Sequence, residues 1–90
     1  MKTFLVTYSL NSYTQYYKPL SERLKGFPRW AKILPRTWII RSSIPIERIR
    51  NILSNRIKGE GQILVIEVSN SKWAAFDVDE DVAEWMKKNV

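Results

Sequence analysis

Neither cysteine nor histidine occurs among the 90 residues. Without cysteine there is no disulfide framework, no thiolate nucleophile and no thiolate zinc site. Without histidine, serine–histidine hydrolysis, imidazole acid–base catalysis and imidazole–metal ligation are excluded. Long apolar runs are missing too. The longest falls far short of the roughly 20 residues that span a bilayer, and no basic n-region with an apolar h-region opens the chain. The expectation is a cytoplasmic protein with no membrane partner.

What is present fits one domain, residues 1–90, of 10.6 kDa. A chain this short buries roughly 60–65% of its unfolded surface, so its core is real but marginal. Apolar residues are 44%, charged residues 27% and mean hydropathy is −0.31, the balance of a globular chain rather than a disordered one.

Charge is distributed unevenly. Net charge is +6. Residues 1–58 hold 12 Lys/Arg against Glu22 and Glu47, a balance of +10, whereas residues 59–90 hold 3 basic and 7 acidic side chains, a balance of −4. The first two-thirds therefore project a positive field. Phosphate backbones are the commonest partners for such a field.

Periodicity supplies the elements. Lys2–Ser9 alternates as a strand. Tyr16–Phe27 is helical, with Tyr16, Leu20, Leu24 and Phe27 in one stripe, Pro19 in the first turn and Gly26 and Pro28 at the stop. Trp30–Leu34 and Thr37–Ser42 form a hairpin about Pro35-Arg36, since proline inside one long strand would delete a ladder bond. Ser43 is the expected cap of a helix carrying Ile46, Ile49, Ile52, Leu53 and Ile57, with Pro45 in its first turn and a stop at Gly59. Gln62–Val68 is the most apolar strand, Lys72–Phe76 a short fifth strand, and Asp79–Asn89 a helix whose charges suit its dipole. The order implies an α+β, ferredoxin-like βαββαβ core over 1–68 with a strand-and-helix appendix over 69–90. Ile63 and Val65 lie on one face of the apolar strand, and Leu64, Ile66 and Val68 on the other. A sheet apolar on both faces needs a second cover, so a homodimer is expected.

Carboxylates, lysines, tyrosines and hydroxyls are the remaining chemical tools. Asp77, Asp79, Glu80, Asp81 and Glu84 form the only acidic cluster and read as helix-end charge rather than a metal site. Glu67, inside a strand, would need a cation such as Arg41 or Lys32 if buried. Tyr13, Tyr16, Tyr17 and Lys18, then Phe27, Arg29, Trp30, Lys32, Arg36 and Trp38, interleave rings with cations as stacking plus phosphate contact requires. Strand tryptophans read first as core. The nucleic-acid-binding candidates are Asn11, Lys18, Arg23, Lys25, Arg29, Lys32, Arg36 and Arg41.

The opening FLVTYSLN, the TWII strand after a short hairpin, and ILVIEVS from residue 63 resemble the small CRISPR-associated ferredoxin-like family called Cas-two, above all its stand-alone relatives. Virulence-associated protein D, a ribonuclease toxin, shares that fold. The resemblance covers most of 1–68. It implies a homodimer on duplex DNA or RNA, with the segment after residue 69 adding a strand to the partner subunit. In nuclease members an aspartate ends the first strand in a Tyr-Asp-Ile/Leu motif, and two such aspartates hold one divalent ion. Here the motif reads Tyr8-Ser9-Leu10, with the amide Asn11 following. Two hydroxyls bring no negative charge to Mg²⁺, and activation of water is lost. The expectation is a catalytically silent or weakened member that needs no cofactor. The alternatives are a Mg²⁺-dependent endonuclease or endoribonuclease using another acid such as Glu67 or Asp77, and a protein-interaction module such as an inhibitor or decoy.

Overall fold

A computed structural model describes residues 1–11 and 15–90. Tyr13 lies outside them. The chain folds as α+β: β1 (Lys2–Leu10), α1 (Tyr17–Leu24), β2 (Arg29–Leu34), β3 (Thr37–Ser42), α2 (Ile46–Ile57), β4 (Gly61–Glu67) and α3 (Glu80–Asn89). The four strands make one sheet in the order β2-β3-β1-β4, each adjacent pair antiparallel.

Register assigns the faces. Val6 stands opposite Trp38 and Val65, and Ile40 opposite Trp30, so these side chains share a face. Phe4, Val6, Tyr8, Trp38 and Ile40 of that face form the core with Leu20 and Leu24 of α1 and Ile49, Leu53 and Ile57 of α2. Each such burial contributes about 1.5–3 kcal/mol. The Trp38 indole Nε1 donates to the Tyr8 hydroxyl at 3.1 Å, so the one polar handle of the largest core side chain is satisfied.

The second face is partly closed by α3. Ala31 and Ile39 point that way and are buried, as is Met86 on α3. Thr3 Oγ1 donates to the Asn89 carbonyl at 2.7 Å, tying the end of α3 to β1. Leu64 and Ile66, on the same face beyond α3, remain 54% and 46% exposed.

Four local expectations shift. The first helix ends at Leu24, not Phe27. Gly26 N–H donates to the Arg23 carbonyl and Phe27 N–H to that of Leu24, a tightened turn that still buries Phe27. Pro45, not Ser43, caps α2: its carbonyl accepts from Arg48 and Ile49, while Ser42 Oγ accepts from Ile44 N–H. The expected strand at Lys72–Phe76 does not form. Asn70 (φ 56°) and Asp77 (φ 58°) turn the chain at either side of it, so the appendix is a helix alone. Glu67 is exposed and meets Lys2 at 3.7 Å, not Arg41 or Lys32.

Among the described residues, no helix is long and apolar enough to cross a membrane.

Candidate nucleic-acid interface

The β2–β3 turn brings Arg36 against α1. Its Nε donates to the Tyr17 hydroxyl at 2.8 Å, and its guanidinium carbon lies 5.5 Å from that ring's centre. This hydrogen bond, then the charge interaction with Tyr17, raises the Arg36 pKa above its ordinary value. The group is therefore cationic at any working pH.

Similar pairs continue toward β2. Arg23 lies 4.8 Å from the centre of Phe27, Lys25 5.8 Å from that of Trp30, and Lys32 5.9 Å from that of Trp38. The rings of Trp30 and Trp38 are themselves 5.5 Å apart. Each aromatic face attracts a cation without neutralising it. Among the described residues the salt bridges are Lys2–Glu67 and Lys87–Glu84. Neither involves Lys18, Arg23, Lys25, Lys32 or Arg36. A surface built from α1, the turn after it, and the β2–β3 hairpin thus holds cations with no carboxylate on them.

The structure separates the two tryptophans. Trp38 is 1% exposed and belongs to the core; Trp30 is 37% exposed, with Lys25 and Trp38 beside its ring. It also divides the basic residues. Arg29 and Arg41 stand directly opposite each other, on the face away from Lys32. Like charges so placed repel. Arg41 is half-buried, and its Nη2 donates to the Met1 carbonyl at 3.0 Å. Arg29 is exposed. Register thus sets Arg29 and Arg41 on the sheet face opposite Lys32, while Arg23, Lys25, Lys32 and Arg36 each lie beside an aromatic ring and Lys18 sits on α1.

Ser9 is exposed at the end of β1, opposite Gln62. Gly61 makes this crossing possible, since a Cβ there would stand 2.5 Å from the Ser9 carbonyl oxygen. Asn11 is exposed and donates its N–H to the Glu60 carbonyl at 2.9 Å. Glu60, which sequence reasoning missed, is thus the carboxylate-bearing residue that the strand register brings to this end. Glu67 pairs with Phe4, five positions along β4 from Gln62, or about 17 Å. Asp79 sits at the start of α3 with Glu80 and Asp81 in its first turn, and Glu84 bonds Lys87 at 3.2 Å. Among the described residues no three His, Cys, Asp or Glu side chains come together to hold a metal. At this end of β1, Ser9 offers a hydroxyl, Asn11 an amide and neighbouring Glu60 a single carboxylate, where Mg²⁺ is usually held by one or two carboxylates plus waters.

Comparison with family models, with curated proteins and with solved structures returns no match.

Proposed function

We propose that this protein is a ferredoxin-like, Cas-two-type homodimer that binds duplex DNA or RNA without cutting it. The observation that carries the reading is the cation-rich surface of α1 and the β2–β3 hairpin, where five basic side chains have no ion-pair partner among the described residues. A helix end and a hairpin tip that present unneutralised cations are suited to successive phosphates. Trp30 adds an exposed ring beside them.

The strand order β2-β3-β1-β4, with every adjacent pair antiparallel, supports the ferredoxin-like assignment. Exposed Leu64 and Ile66 support a second subunit on the sheet face that α3 leaves open. The silent chemistry rests on Ser9 at the motif's aspartate position.

Labelled duplex DNA and RNA, titrated at several salt concentrations with and without Mg²⁺ and then run on a gel, test the proposal. Intact nucleic acid and an affinity that falls steeply with salt are expected. Mg²⁺-dependent cleavage would support the nuclease alternative, and no binding would support a protein-interaction module. If the scaffold is otherwise competent, Ser9→Asp gains Mg²⁺-dependent cleavage.

A further inference from the structure

Arg41 lies on the sheet face that α3 partly covers, away from Lys32. Across the strands it forms a row with Arg29 of β2 and Thr3 of β1. Thr3 Oγ1 donates to the Asn89 carbonyl, which sets the last turn of α3 on this row. A polar cavity of about 230 Å³ opens where the helix ends. Thr3, Arg41, Ser69, Lys88 and Asn89 are among its walls.

Two buried polar atoms of these residues have no hydrogen-bond partner among the described residues: Arg41 Nε, a donor, and Asn89 Oδ1, an acceptor. Other contacts fix both side chains. Arg41 Nη2 donates to the Met1 carbonyl at 3.0 Å. Asn89 Nδ2 donates to the Trp85 carbonyl at 2.7 Å, which leaves Oδ1 as the open end of an amide that is 6% exposed. Folded proteins pair nearly all such atoms with protein, water or an ion. A donor and an acceptor left open at one cavity call for an occupant that both accepts and donates.

Charge says which occupant. Arg29, Arg41 and Lys88 take part in no ion pair among the described residues. Arg29 and Arg41 stand opposite each other, a repulsion that an anion beside them relieves. Ser69 Oγ accepts from the Thr3 N–H at 2.9 Å and keeps its own hydrogen to donate. Water answers the open donor and acceptor but not the charge. Sulfate answers the charge but has no hydrogen for Asn89 Oδ1. Inorganic phosphate does both, because at neutral pH it keeps a P–OH beside its charged oxygens.

We propose that this cavity binds hydrogen phosphate. The charged oxygens accept from Arg41, Lys88 and Ser69, and the hydroxyl donates to Asn89 Oδ1. The site lies across the sheet from Lys32 and its neighbours, so it stands whether or not that surface binds a duplex.

Calorimetric titration of the intact chain with sodium phosphate and with sodium sulfate, at neutral pH and matched ionic strength, tests this. Phosphate is expected to fill a single site at least about tenfold more tightly than sulfate, since an acceptor placed for a hydroxyl rejects a ligand that lacks one. Arg41→Lys keeps the charge, loses the Nε donor and should weaken phosphate binding about tenfold. Lys88→Gln removes an exposed charge with no hydrogen bond among the described residues, and should weaken it severalfold. Because Lys88 is exposed, that variant keeps the test valid should Arg41→Lys disturb the fold. The Asn89 side-chain amide signals should shift in nitrogen–proton NMR spectra as phosphate is added. Equal affinity for the two anions would overturn the proposal, as would phosphate binding that both replacements leave unchanged. So would an Asn89 amide that does not move, or no binding at millimolar phosphate, which would leave the two open atoms to water. These readouts involve no nucleic acid, so failure here is distinct from failure of duplex binding.

Discussion

The two edges of the sheet are built from opposite materials. The β2 edge carries Arg29, Trp30 and Lys32 and lies beside Arg23, Lys25 and Arg36. The β4 edge carries Ile63, Leu64, Val65 and Ile66, with carboxylates alone at its Glu60 and Glu67 ends. Charge at the first edge repels a pairing strand and attracts phosphate. Apolar surface at the second favours contact with a second subunit instead. One small sheet can thus present two unlike surfaces, because strand order puts the hairpin and the most apolar strand at opposite ends.

The largest expected effect breaks the contrast at the cationic edge. The triple variant Lys25→Glu, Lys32→Glu and Arg36→Glu should bind duplex on the order of 100- to 1000-fold more weakly at low salt, read by fluorescence anisotropy. Leu64→Lys and Ile66→Lys, at the other edge, should leave that affinity per subunit nearly unchanged. Equal losses from both sets would erase the distinction.

Next comes the crossing that joins β4 to β1. Gly61→Ala drives a Cβ toward the Ser9 carbonyl oxygen, which should cost about 1–3 kcal/mol. Thermal unfolding would show this as a fall of roughly 4–8 °C per kcal/mol. Tyr8→Phe has a similar expected cost, about 1–3 kcal/mol, because it strands the buried Trp38 N–H. Chemical denaturation checks it, and an unchanged midpoint would show that the indole finds another acceptor.

Much of this contrast is legible in the sequence. Alternation marks β1 and β4, and Pro35-Arg36 marks the hairpin, because period and turn chemistry are local properties. The strand at Lys72–Phe76 was misread because apolar residues there satisfy a composition rule but find no ladder. Parity along the hairpin separates Lys32 from Arg29 and Arg41, a division that grouping by sequence proximity hides. The stacking of Arg36 on Tyr17 and of Lys25 on Trp30 is not legible at all. It depends on how α1 lies over the sheet, which the core residues Leu20 and Leu24 decide. Glu60 escaped notice for the same reason: only the β1–β4 register brings it to Asn11.

The smallest expected effect sharpens the comparison from the apolar side. Ile66→Lys should change subunit stability by no more than about 0.5 kcal/mol, since the side chain is already half exposed. It should nevertheless shift sedimentation from dimer to monomer at micromolar concentration. Unaltered sedimentation as a dimer would move the subunit contact elsewhere.

The salt dependence of duplex binding tests the central claim most directly. Plotted as log affinity against log salt, the natural chain should give a slope near −0.9 for each phosphate it neutralises, and replacing Lys25, Lys32 and Arg36 with Gln should make that slope shallower by about three units. A slope that those three replacements leave untouched would contradict the account.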